Sequence, residues 1–212
     1  NALEALSPIA IAPNPVMDQV LSKCRMHSLA REAGFHVPES WIIKTPAALE
    51  TIAPRNGFPL VVKAEHSLAW LDGYGQALET RYVTDPATLK DIWARYALYG
   101  DVLVQSRVTG HGVGLGLLAR DGLLVHCFQY RRLHELPLTG GGSAYRVSET
   151  LDPMLEDQAT QLVRQLRWHG VMMLEFKYDA YAKMYWFIEA NGRFWGGLPL
   201  ALAAGVDFPQ QL

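Results

Sequence analysis

Two stretches near the C-terminus decide how this 212-residue chain is interpreted: Met173-Leu-Glu-Phe-Lys-Tyr-Asp179 and Trp186-Phe-Ile-Glu-Ala-Asn-Gly-Arg-Phe-Trp-Gly196. Their apolar and aromatic residues predict two strands, which we expect to form a hairpin centred on Ala182. Pairing about that centre places Glu175 directly opposite Glu189. Two carboxylates opposite each other have Cβ atoms about 5 Å apart and repel one another, so this pairing favours a cation between them.

Asn191 extends this pair to a set of three oxygen ligands. It lies two residues beyond Glu189 and therefore projects from the same face of the strand. Two carboxylates and an amide oxygen suit Mg²⁺ bound beside phosphates. The alternative is that either glutamate pairs with a cation such as Lys177 or Arg193 at a solvated edge, and a one-residue slip in register would separate the two acids. The three residues together favour the metal.

Two lysines are candidates for binding phosphate. Lys63 ends the apolar run Phe58-Pro-Leu-Val-Val-Lys63 and is its only charge, as expected of a fixed point charge at the mouth of a loop. Lys23 lies in the first turn of a helix predicted over residues 22–33, where a positive side chain opposes the helix dipole unless an anion binds there. Solvated lysines are the alternative. The segment Asp72-Gly-Tyr-Gly75 would then cover phosphates with its backbone amides.

Composition and charge exclude several classes of protein. Half of the residues are apolar, 19% are charged and the net charge is −2, which gives no electrostatic reason to expect nucleic acid or membrane as a partner. Cys24 and Cys127 lack zinc spacing and are typical of two free thiols in a reducing, cytoplasmic setting, with a single disulfide between them as the alternative. The stretch Gly114-Leu-Gly-Leu-Leu-Ala119 matches a dinucleotide fingerprint, but it leads into an Asp121-Gly122 turn instead of a helix.

The order of the predicted elements indicates an α+β protein with two α+β subdomains. We expect a linker from a missing N-terminal domain over residues 1–20, a small subdomain over 21–100 and a large subdomain over 101–212 that is incomplete at its C-terminus. Helices are predicted over 22–33, from 46, over 86–97, from 153 and over 198–204. Strands are predicted over 41–43, 58–64, 102–106, 115–119, 123–130, 171–178 and 184–191, with a polar, glycine-rich segment over 131–146.

From about Ser22 to Pro209, these pieces in this order resemble the ATP-grasp superfamily, which includes D-alanine–D-alanine ligase and biotin carboxylase. The most specific piece is Glu189-Ala-Asn-Gly-Arg-Phe-Trp-Gly196. The opening from Ser22-Lys23 to Gly34-Phe-His-Val-Pro38 is similar to the family's first phosphate-binding motif.

The resemblance implies an ATP-grasp fold that binds ATP and Mg²⁺ between its two subdomains. The cofactor-binding residues would be Lys23 and Lys63 for phosphates, with Gln105, Arg107 and Val108 on the strand that holds adenine. The metal ligands would be Glu175, Glu189 and Asn191, and Arg193 would stabilise the transferring phosphate. Arg132 beside the loop Gly140–Ser143 is a candidate for holding the carboxylate or acyl phosphate, although that loop also fits a simple surface connection.

Three functions follow from these assignments. The first is a ligase that joins a small-molecule carboxylate to an amine through an acyl phosphate. A homodimer is compatible with this function. The second is an enzyme that activates bicarbonate. The third is an ATP-binding module without catalysis, which the two acids, the amide and Arg193 argue against.

Overall fold

The computed structural model describes residues 10–71, 74–136 and 142–212. The helices are α1 (Asn14–Leu21), α2 (Lys23–Glu32), α3 (Pro46–Asn56), α4 (Pro86–Tyr96), α5 (Pro153–Leu166), α6 (Leu198–Ala203) and α7 (Phe208–Gln211). The strands are β1 (Ser40–Ile43), β2 (Leu60–Ala64), β3 (Leu68–Leu71), β4 (Tyr74–Ala77), β5 (Arg81–Val83), β6 (Val102–Ser106), β7 (His111–Arg120), β8 (Leu123–Leu136), β9 (Gly142–Ser148), β10 (Gly170–Asp179) and β11 (Met184–Asn191).

Two antiparallel sheets carry the architecture. One has four strands in the order β1-β6-β2-β5, and the other has five in the order β11-β10-β7-β8-β9. Strands β3 and β4 form a separate hairpin. The predicted α+β class is confirmed. Among the described residues, no helix has the length and apolar character needed to cross a membrane.

The four-stranded sheet packs against α3 and α4. Its core joins the strand residues Leu60, Val62 and Val104 to Leu89 and Ile92 of α4, all of them buried. Helix α4 begins where predicted, because the Asp85 side chain accepts a hydrogen bond of 2.8 Å from the backbone nitrogen of Thr88 and Pro86 occupies the first turn.

The five-stranded sheet packs against α1, α2 and α5. The predicted apolar face of α5 is confirmed: Leu155, Ala159, Leu162, Val163 and Leu166 are all buried in this core. Helix α2 contributes to the same core, not to that of the four-stranded sheet, although it precedes that sheet in the chain.

The chain therefore leaves the larger unit after α2, forms the four-stranded sheet and returns after β6. The two ends of this excursion are neighbours, since Ser40 pairs with Gln105 and the Ser106 nitrogen donates to the Glu39 carbonyl at 2.9 Å. Strand β6 pairs between β1 and β2, so the crossing to the other sheet follows Ser106, a few residues after the predicted division near residue 100.

Several elements differ from the sequence prediction at residues that the pattern described as irregular. The predicted linker over 1–20 missed α1, whose Val20 is buried against the larger core. The segment 131–146 is mostly strand, because β8 continues to Leu136 and β9 pairs with it from Gly142. The hairpin β3–β4, strand β5 and helix α7 were also not predicted.

Candidate active site

The hairpin of β10 and β11 places the two predicted acids opposite each other. Glu175 pairs with Glu189, as predicted. Towards the turn the register differs by one residue: Tyr178 lies opposite Tyr185, whereas a hairpin centred on Ala182 would place it opposite Trp186. The difference arises because the turn contains four residues, 180–183, so its centre lies half a residue before Ala182. A β-bulge at Ile188 then adds one residue to β11 and restores the pairing of the acids.

The two carboxylates share one amide group. The Nδ2 atom of Asn191 donates to Oε1 of Glu175 and to Oε1 of Glu189, at 3.3 Å in each case. The Arg132 guanidinium forms an ion pair with Glu175 at 2.7 Å, and Arg193 donates to Oδ1 of Asn191 at 3.1 Å. Five of the predicted site residues thus form one connected polar cluster.

Burial and the repulsion between the two acids disfavour the ionised form of Glu175. Burial raises the pKa of Glu175 above the usual range of a glutamate and the charge of Glu189 raises it further, although Arg132 and Arg193 pull it down. A carboxylate whose ionisation is disfavoured in this way becomes favourable to ionise when a cation binds beside it.

The chemistry of this donor set fits Mg²⁺. Among the described residues there is no group of three or more His, Cys, Asp or Glu side chains that would hold a metal by themselves. Glu175, Glu189 and Asn191 supply three oxygens at most, which leaves the remaining positions for phosphate and water oxygens, as Mg²⁺ prefers. The Asn191 amide must turn over to present its oxygen, since it now offers nitrogen to both acids.

Both predicted phosphate lysines lie beside this cluster and are buried. Lys63, on β2, is 5% exposed and donates from Nζ to the Ile188 carbonyl at 3.4 Å. Burial lowers its pKa to about 8, while the nearby Glu189 raises it. Lys23, 8% exposed, donates to the Ser67 hydroxyl at 2.7 Å, and burial lowers its pKa against the attraction of Glu189. Two buried cations facing two acids form a site for the charges of a metal–phosphate complex.

Helix α2 and the end of β2 hold Lys23 in position. Ser22 caps α2 by accepting from the Arg25 nitrogen at 3.3 Å, and its hydroxyl donates to the Glu65 carboxylate at 2.6 Å. The Lys23 nitrogen also donates to the Glu65 carbonyl at 3.1 Å. These bonds tie the start of α2 to the segment that follows Lys63.

The predicted adenine strand is placed less simply. The side chain of Gln105 is buried and bonded to Ser40 at 2.9 Å and to the His27 ring at 3.1 Å, so contact with a nucleotide would come from the backbone. Arg107 is exposed, with its guanidinium 5.8 Å from the centre of the Tyr82 ring, and Val108 is half-buried. The predicted roles of these three residues stay predictions.

The remaining sequence predictions concern two loops. Asp72, Gly73, Gly140 and Gly141 lie outside the described residues, so the phosphate-covering role of the first loop and the substrate-holding role of the second remain predictions. Arg132, predicted beside the second loop, lies in the long strand β8 that precedes this loop and is 10% exposed at its side chain.

Sequence reasoning missed Glu135, which extends the polar cluster along β8. Its carboxylate lies 2.8 Å from Lys177 Nζ and 3.7 Å from the Arg132 guanidinium. Register shifts on either side of His134 bring Glu135 to the face that carries Arg132, so simple alternation could not have placed it there.

Glycines on β7 make room for this side of the site. A Cβ at Gly112 would lie 2.8 Å from Cδ of Arg132, one at Gly114 would overlap the Tyr130 ring, and one at Gly116 would overlap the Trp195 ring. The glycine pattern that resembles a dinucleotide fingerprint therefore serves close packing of large side chains against the sheet.

Comparison with solved structures identifies the fold. The chain matches the biotin carboxylase–β,γ-ATP complex of Campylobacter jejuni with a TM-score of 0.79 at 16% identity, over 99% of this chain and 49% of that one. It matches a RiPP-associated ATP-grasp ligase of Chryseobacterium gregarium, in complex with ADP and with leader and core peptides, with a TM-score of 0.72 at 14% identity (100% and 67%). It also matches an L-amino acid ligase of Bacillus licheniformis with a TM-score of 0.67 at 18% identity (99% and 50%).

The chain therefore has the ATP-grasp fold, as the sequence resemblance predicts, and it spans about half the length of the biotin carboxylase and the L-amino acid ligase. A scan against protein-family models found no match, and neither did a search of curated proteins.

Proposed function

We propose that this chain forms the ATP-binding and catalytic part of a ligase that activates a carboxylate as an acyl phosphate, which an amine then attacks. The observation that carries the proposal is the acid pair Glu175–Glu189 with Asn191, set beside the buried lysines Lys23 and Lys63. Solved ATP-grasp ligases with the same fold support it. Acids and lysines together are what a magnesium–triphosphate complex requires.

The residues of the site divide the work by charge. Glu175, Glu189 and Asn191 would hold Mg²⁺, whose chemistry is to neutralise charge that develops on the transferring phosphate. Lys63 and Lys23 would bind phosphate oxygens as fixed point charges in a poorly solvated site, where such charges act strongly. Arg193, exposed at the end of β11, would meet the transferring group.

Arg132 is suited to the carboxylate substrate or its acyl phosphate. It pairs with Oε2 of Glu175, whereas Asn191 bonds to Oε1, and its planar guanidinium can bind an anion through two parallel hydrogen bonds. The released phosphate and the new amide bond balance the reaction: ATP, carboxylate and amine give ADP, phosphate and amide.

Calorimetric titration of ATP into the purified chain, with Mg²⁺ and then with EDTA, tests the nucleotide site. We expect Mg²⁺-dependent binding that Glu189→Gln weakens at least tenfold, as loss of a metal ligand should. Glu32→Gln removes the same charge at an exposed position of α2 and should leave binding unchanged. Equal binding by wild type and Glu189→Gln would refute the metal assignment.

A second candidate function is the activation of bicarbonate, favoured by the similarity to biotin carboxylase at a TM-score of 0.79. ADP release separates the two functions. Release that requires both a carboxylate and an amine, with an acyl phosphate trapped by hydroxylamine, supports the ligase. Release that depends on bicarbonate alone supports the second function instead.

A further inference from the structure

One buried histidine lies at the junction of the two sheets and has no role in the proposed reaction. His27 is 3% exposed and lies on α2 one turn after Lys23, so the two side chains share a face of the helix. Its ring packs edge-on against Phe187, with centroids 5.7 Å apart. Its Nε2 lies 3.1 Å from the Ile188 carbonyl, and its Nδ1 lies 3.1 Å from Nε2 of Gln105.

These partners fix the direction of each hydrogen bond in a series that begins at the Ile188 carbonyl. The Ile188 carbonyl can only accept, so Nε2 of His27 carries the proton and Nδ1 accepts from the Gln105 amide. The second proton of that amide goes to the Ser40 hydroxyl at 2.9 Å, which in turn donates to the Pro38 carbonyl at 2.6 Å. This series of hydrogen bonds links β11 through α2 to β6 and β1, and every donor in it meets an acceptor.

Ile188, at the β11 end of this series of hydrogen bonds, is the bulged residue. It is the extra residue in β11. If Ile188 were paired in the ladder instead of bulged, the register of the turn would place it opposite Glu175 and would place Glu189 opposite Leu174. A bulged residue loses its ladder partner, so its carbonyl needs another donor. It has two, His27 at 3.1 Å and Lys63 at 3.4 Å.

We propose that His27 is a positioning residue for the metal site: it holds the bulge at Ile188, and with it Glu189 opposite Glu175, and it ties this strand to β6 through Gln105. The inference rests on the proposed function. It also explains how Lys63 can turn towards a phosphate, since the Ile188 carbonyl keeps a donor when the lysine leaves. His27 itself contacts neither metal nor nucleotide.

The test compares three variants through the ratio of ATP dissociation constants in EDTA and in Mg²⁺. His27→Ala removes the donor, and His27→Gln keeps an N–H donor near the Nε2 position. Met26→Ala opens a cavity in the core beneath α2 but removes no hydrogen bond to Ile188. We expect His27→Ala to reduce the ratio by about tenfold or more, as removal of a residue that orients a metal ligand does. We expect His27→Gln to restore most of the ratio and Met26→Ala to leave it unchanged.

A second measurement needs neither ATP nor metal. Hydrogen–deuterium exchange of the peptide over 184–191 should accelerate in His27→Ala more than in Met26→Ala, because only the first releases the bulge. Equal effects of the two alanine variants on the ratio, or unchanged exchange in His27→Ala, would overturn the positioning role. Failure of the wild type to bind ATP would overturn the proposed function, while the exchange result would still decide whether His27 holds the bulge.

Discussion

Replacing Glu175 by glutamine should stabilise the metal-free protein while it abolishes the metal site. The Oε1 atoms of Glu175 and Glu189 each lie 3.3 Å from the same nitrogen of Asn191. They are therefore at most about 6.6 Å apart, and two unit charges at that distance repel by about 2.5 kcal/mol at an effective dielectric constant of about 20. Burial of the carboxylate adds to this cost, and the two effects together outweigh the ion pair with Arg132 at 2.7 Å, since the pKa of Glu175 is raised on balance.

We expect a net gain of about 1 to 2 kcal/mol in the free energy of unfolding, or about 2 to 8 °C in Tm for a chain of this size. Urea unfolding at pH 7.5 in EDTA measures the gain. The pKa of Glu175 is raised in the folded state, so the ionised carboxylate costs stability as pH rises through that pKa, and the cost vanishes below the pKa of the unfolded chain. The difference between Glu175→Gln and wild type should accordingly disappear towards pH 4.

Adding Mg²⁺ and ATP should reverse the order of stability, since wild type gains from binding and the variant does not. Glu32→Gln serves as the control for removal of one exposed negative charge. A variant that is less stable than wild type in EDTA at neutral pH would refute the reasoning. It would show that the ion pair with Arg132 stabilises the fold more than burial and repulsion of the Glu175 carboxylate destabilise it.

Three further predictions concern other parts of the molecule. Burial lowers the pKa of His27 to about 3, and the positive charge of Lys63 lowers it further. The neutral ring therefore costs the folded state stability as pH falls from about 6.5 towards 3, by about 1.4 kcal/mol in the free energy of unfolding per pH unit. His27→Gln should flatten this slope in urea unfolding between pH 6.5 and 4. Gly116→Ala should cost about 1 to 3 kcal/mol of stability, because its Cβ would overlap the indole ring of Trp195. Gly75→Ala should be neutral, because its Cβ would meet its nearest neighbour at 3.4 Å. Equal temperatures of thermal unfolding for the two variants would contradict this. Burial raises the pKa of the Cys24 thiol to about 11 and that of Cys127 to about 12, so alkylation of the native chain at pH 8 should run about 100-fold or more below the rate in urea, and comparable rates would contradict it.

The ligands could be predicted from the sequence because the hairpin that carries them is local. Period-two alternation and a short turn bring Glu175 and Glu189 together within fifteen residues of chain, and only the register near the turn was wrong. The bulge that corrects it leaves no mark in the apolar pattern around Ile188. The acid pair was therefore predicted correctly from an incorrect centre of the turn.

The contacts made across the two sheets could not be predicted, because no periodic pattern encodes them. Gln105 and His27 lie 78 residues apart and meet only through the packing of α2 on the larger unit. The place of β6 could not be predicted for a similar reason, since β6 follows four helices and pairs with β1 and β2, which lie far earlier in the chain. The position of Glu135 could not be predicted for another reason: the register shifts beside it in β8 change the face of the sheet on which it lies.

The closeness of Ser40 to Gln105, and of Glu39 to Ser106, makes the stretch between them a cassette. A segment whose ends meet can be excised and the gap joined by a few residues, or grafted elsewhere, without lengthening the path of the remaining chain. Such a cut would remove Lys63 with its strand and leave Lys23 and every acid of the cluster in the recipient. Lys63 is thus separable from the carboxylates, and swapping cassettes that keep Gln105 between related chains would exchange this lysine while Lys23 and the acids stay in place.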